Sequence, residues 1–133
     1  MYCNAEDNSI FQADIAKEEC AKRNLTVVDK SVTDSNQIQQ VTESLIGKVD
    51  AIYIPTDNLL AEGMATVAQV ANENNLPCIV GESGMVENGG LATYGIDYYN
   101  LGYHAGLQAV KILKGKLNLL IWQLNIYLLK NVN

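Results

Sequence analysis

Basic residues are scarce in this sequence. Nine lysines and arginines stand against fifteen aspartates and glutamates, for a formal net charge of -6. They form no stripe, which argues against a nucleic-acid backbone as partner, because that recognition rests on clustered cations that displace counterions. Histidine occurs once, as His104, and Cys3, Cys20 and Cys78 lie too far apart for a CxxC or Cys/His metal spacing. The cysteines therefore read as small apolar core residues, and no metal or cofactor is expected. Neither GxGxxG nor GxxxxGK[ST] occurs, and GESG is not the G-x-S-x-G elbow, so nucleotide binding and hydrolase chemistry lack their usual anchors. The expectation is a protein that is not an enzyme. The opening MYCNAED lacks the charged and then apolar pattern of an export signal. The apolar run between Leu117 and Leu129 is interrupted by polar residues and falls short of the ~20 residues that a spanning helix needs.

What the sequence does contain is enough apolar material, 48% of its 133 residues, for one domain with a real core. Its patterning alternates short β-branched runs with helical spacings. Residues 1–4 read as the end of a strand, and a helix is expected over about 9–23. A strand follows at 25–32, then a helix at 37–47 stopped by Gly47. Residues 49–54 form the next strand, 59–74 a helix and 76–80 a short strand. Residues 81–90 read as a loop, 91–96 as an extended piece, and Asp97 begins a last helix running through Leu113 to Gly115. Strand and helix in alternation predict an α/β fold, a three-layer parallel sheet forming a flavodoxin-like or Rossmann-like lobe.

The chain is organised around VDAIYIPTDN, residues 49–58. Its apolar run suits a strand buried on both faces, and Pro55 ends it. Thr56, Asp57 and Asn58 then stand at the strand's carboxyl end, where open α/β sheets bind ligands. The same edge collects Asn8, Ser9, Thr33, Glu82, Ser83 and Asp97, a set rich in carboxylates and hydroxyls with no lysine or arginine. Such a lining suits a cationic or hydroxyl-rich ligand, with Asp57 holding an amino group. Each of Ser9, Asn58 and Asp97 also suits a plain helix cap, and Asp57 a plain turn. Tyr53, Tyr94, Tyr98, Tyr99 and Tyr103 are either packing residues with a polar tip or stacking walls for a flat ligand.

Four stretches, NAEDNSIFQADIAKEECAKRNL, VDAIYIPTDN, NLPCIVGESGMVENGGLATYGIDYYNLGYHAG and AVKILKG, together resemble the substrate-binding components of a group of bacterial ABC transporters with a type I periplasmic-binding-protein fold. The resemblance covers most of residues 2–115. It implies two α/β lobes that enclose a small solute, with an aromatic amino acid as the first ligand class and a sugar as the alternative. It also implies an ABC permease as partner and a location outside the cytoplasm, periplasmic or lipid-anchored. Carried onto this chain, it makes Asn8, Ser9, Thr56, Asp57, Glu82 and Asp97 the cleft candidates. A full member has roughly twice this length, so the resemblance implies the C-terminal lobe plus a crossover helix, the N-terminal lobe missing. Residues 1–90 would be the lobe, 91–116 the crossover and 117–133 an atypical apolar tail. The rival reading is a truncated remnant or an interaction domain that self-associates through Leu117 to Leu129. A ligand-sensing lobe of a LacI-type regulator shares the fold, and no DNA-binding segment supports it.

Overall fold

The computed structural model describes residues 1–115. Its elements are β1 (Tyr2–Cys3), α1 (Asp7–Lys22), β2 (Ser31–Val32), α2 (Ile38–Glu43), β3 (Ile52–Ile54), α3 (Asn58–Glu62), α4 (Met64–Glu73), β4 (Cys78–Glu82), α5 (Ser83–Glu87), β5 (Ala92–Ile96) and α6 (Tyr98–Leu113). A single 3-10 turn, Ser35–Gln37, leads into α2. Contacts divide the chain into two compact units, Met1–Ile96 and the part from Asp97 onward.

All ladders are parallel: β1 pairs with β2, and β3–β4–β5 form a second group. Met1 N donates to Tyr53 O at 2.7 Å, which sets β1 beside β3. The strands therefore read β2-β1-β3-β4-β5, the doubly wound order whose direction reverses between β1 and β3. Because β1 steps to β2 one way and β2 steps to β3 the other, right-handed crossovers place α1 on one face and α2 to α5 on the opposite one.

The core follows from this. Ile52, Ile54, Cys78 and Val80 point inward from β3 and β4 and join Ile38, Leu45, Leu60, Met64 and Val67 in one buried cluster. Tyr53 and Ile79 alternate to the other side of the same strands and are 41% and 38% exposed. Burial of β3 on both faces, expected from its run of apolar residues, is therefore not what is found. Within the first unit its outer face stays open because α1 packs on β1.

Several boundaries also differ from the sequence reading. Only Ser31 and Val32 pair in β2, leaving Leu25, Val27 and Val28 exposed in a chain that approaches an edge without joining it. The expected helix at 59–74 divides at Gly63, which ends α3 and starts α4. A Cβ at Gly63 would stand 2.3 Å from Ile38 Cδ1, so α2 packs against the break. The glycine-rich loop expected at 81–90 holds a helical turn, α5, anchored by fully buried Met85. Asn24 (φ 55°) and Asn75 (φ 53°) stop α1 and α4 in the left-handed region, as asparagine tolerates. In the second unit, α6 is capped by Asp97 and buries none of its residues. The expectations for residues 117–133 lie outside the described residues.

Candidate functional site

Where the strand order reverses, the elbow after β3 meets the first turns of α1. Asp57 lies at the centre and is only 3% exposed. Its Oδ2 accepts from Cys3 N at 2.6 Å and from the Ser9 hydroxyl, and its Oδ1 accepts from Leu60 N at 2.8 Å, capping α3. One carboxylate thus ties the end of β1, the first turn of α1 and the start of α3. Three of its roughly four acceptor positions are taken by protein donors. The ligand amino group expected on Asp57 would have to reach a buried oxygen already held by this chain.

Glu6 completes the cap. Its carboxylate accepts from Asn58 N at 3.0 Å, Asn58 Nδ2 at 2.8 Å and Leu59 N at 3.0 Å. Glu6 stands at the N-cap position of α1. The structure sends its side chain across to α3 and leaves α1 without a side-chain cap. Burial raises the Glu6 carboxyl, the Asn58 and Leu59 amides outweigh that, and it lies below its ordinary 4.5. With both carboxylates in place, the amides of Asn58, Leu59 and Leu60 all have acceptors, so the first turn of α3 is closed to an outside anion.

Two amides hold the other side of the elbow. Asn8 Nδ2 donates to Thr56 O at 2.9 Å, and Gln12 Oε1 accepts from Thr56 N at 3.1 Å and Thr56 Oγ1 at 2.6 Å. Asn8 is exposed and Thr56 half-buried. Gly81, at the end of β4, closes against the same elbow: a Cβ there would lie 2.4 Å from Thr56 N. Glu82 follows it, half-buried at the start of α5. An open groove of about 330 Å³ runs from Gln12 and Thr56 along Tyr53, Ile79 and Tyr94.

The structure thus brings Asn8, Ser9, Thr56 and Asp57 into direct contact and sets Glu82 on the neighbouring strand. Asp97 belongs to the second unit, where it accepts from Asn100 N and Asn100 Nδ2 at 2.9 and 2.7 Å. Those bonds lower its carboxyl below the ordinary range. Thr33 is tied to Gln37 rather than to the elbow. Sequence reasoning missed Gln12 and Gly81. Gln12 was legible as a polar residue one helical turn beyond Asn8 and thus on its face of α1. Nothing local marked Gly81 as a contact of residue 56.

Comparison with known proteins converges on one family. The family described as ABC transporter substrate binding protein matches residues 1–120. A curated tyrosine-binding protein of Clostridioides difficile is 45% identical over 116 residues, covering 87% of this chain and 34% of its own length. Among solved structures, the ligand-free, open form of a substrate binding protein with adhesive properties from Clostridium difficile superposes with a TM-score of 0.72. It has 49% identity over 88% of this chain and 40% of its own. An ABC domain from Streptococcus pneumonia in complex with L-Trp gives a TM-score of 0.75 and 38% identity, over 86% of this chain and 39% of its own. The chain spans about a third of the curated relative and two fifths of these solved ones.

Proposed function

Because the chain belongs to the ABC transporter substrate-binding protein family, we propose that it supplies one wall of a solute site whose ligand is an aromatic amino acid. The family is one of extracytoplasmic binding proteins, not of enzymes. Among the described residues no helix is long and apolar enough to cross a membrane. In this reading the protein works outside the cytoplasm and hands its solute to an ABC permease.

The observation that carries the proposal is the polar elbow at the carboxyl end of β3, tied to α1 at the point where strand order reverses. Ligands of open α/β sheets bind at such points. Asn8, Thr56 and Glu82 offer the contact surface. Ser9 and Asp57 stand behind it, with Asp57 acting on a ligand amino group as a nearby negative group more than as a direct partner. Asp97, at the head of α6 directly after β5, is retained as a candidate. The ligand class is supported by the relatives, one described as binding tyrosine and one solved with L-Trp.

Amide NMR of the labelled chain titrated with L-tyrosine and L-tryptophan tests this directly. Shifts should concentrate at Asn8, Thr56 and Glu82. Shifts confined to α4, or produced by ribose and not by either amino acid, would overturn the assignment.

A second reading, self-association, is favoured by α6, where Tyr98, Tyr99, Leu101, Tyr103, Leu107, Val110 and Leu113 are all exposed. Large apolar surfaces mark interfaces. Sedimentation of the chain with and without residues 117–133 decides it, and a monomer in both forms excludes it.

A further inference from the structure

The geometry points to Gln12 and Glu6 as positioning residues of the solute site, holding the elbow in its reading conformation through their bonds to Thr56, Asn58 and Leu59. This rests on the function proposed above, because it presumes that Asn8 and Thr56 face the solute.

A loop that must present a backbone carbonyl and a hydroxyl to a ligand loses affinity if it has to be ordered on binding. Here the order is built in. Thr56 N can only donate, so Gln12 must turn its carbonyl oxygen toward it, and the same oxygen takes the Thr56 hydroxyl proton. That fixes the threonine rotamer and points its free lone pairs away from α1. Glu6 does the equivalent at the far side, taking both Asn58 donors and Leu59 N. The two residues sit six apart, Glu6 just before α1 and Gln12 in its second turn, flanking Asn8 and Ser9, and grip the elbow from both ends. Their sequence separation from it, 44 for Gln12 and 52 or 53 for Glu6, makes them long-range ties and not local caps. Glu6 has a further consequence for the ligand. By occupying the first amides of α3 it denies that position to the solute carboxylate, so the solute's amino end is the one directed to this wall.

The test uses the full chain and two readouts. Without ligand, amide exchange at Thr56 should quicken about tenfold or more in Gln12→Leu and stay near the parent rate in Gln12→Glu, whose carboxylate oxygen can accept both bonds. In Glu6→Gln, one acceptor oxygen serves three donors, so Asn58 and Leu59 should exchange faster while Leu60, held by Asp57, does not. With L-tyrosine or L-tryptophan added, affinity should fall about tenfold in Gln12→Leu, roughly 1.4 kcal/mol, and recover in Gln12→Glu. Unchanged exchange at Thr56 in Gln12→Leu overturns the positioning role. Faster exchange with unchanged affinity overturns it as well, since order in the elbow would then not serve binding. If the parent binds neither amino acid, the function proposed above fails, while the exchange results still decide whether these two residues hold the elbow.

Discussion

At the scale of single residues, Asp57 is the clearest case of a side chain whose type was legible and whose use was not. A carboxylate after a strand, before a helix, reads as a cap or a ligand anchor, and both readings rest on local sequence. Its burial comes from Cys3 and Ser9, 54 and 48 residues away, and no periodicity encodes that. Asp57→Asn keeps the shape but turns one acceptor into a donor, leaving Cys3 N and Ser9 Oγ or Leu60 N facing an N–H. It should destabilise the chain by about 1–3 kcal/mol, read as a lower denaturant midpoint. The Glu6 ties give a pH signature. Since the folded carboxyl lies below 4.5, their contribution is complete above the ordinary value and is lost as pH falls through the lowered one. Parent and Glu6→Gln stabilities, measured by urea unfolding from pH 7 downward, should differ at neutral pH and converge in acid.

At the scale of elements, alternation of strand and helix was readable because the apolar spacings of α1 and α4 and the short runs of β3 and β4 are each local signals. Elements of one turn were not. The helix α5 shows a single buried anchor, Met85, too little for a period, and the run from 25 to 32 has strand composition with only two residues paired. The joint between β4 and β5 also depends on contacts that composition hides. A Cβ on Gly95 would meet Gly81 O at 2.0 Å, and one on Gly81 would meet the elbow backbone, at a place where the ladder register shifts between Val80 and Glu82. Gly81→Ala and Gly95→Ala should each cost about 1–3 kcal/mol by thermal or chemical unfolding. Gly81→Ala should in addition shift the Thr56 amide in the NMR spectrum, because its added methyl presses on the elbow.

At the scale of the whole molecule, the family was legible from a few stretches in order, and the polar elbow from the place of residues 56 to 58 after a strand. How much of the relatives the chain represents decides what it can do. It spans 34% of the curated tyrosine-binding protein and 40% of the open solved structure. Solute-binding proteins of two lobes gain affinity by closing both over the ligand. If the chain supplies one wall, as proposed above, it contributes only a fraction of those contacts. The described chain should therefore bind weakly and selectively, with a dissociation constant of about 0.1–1 mM, or roughly 4–5.5 kcal/mol.

Calorimetric titration of the 133-residue chain with L-tyrosine, L-tryptophan and ribose tests this most directly. Weak binding of the two aromatic amino acids, lost in Thr56→Val, is expected, and none of ribose. Nanomolar binding of any of the three by this chain alone, or a preference for ribose, would contradict it.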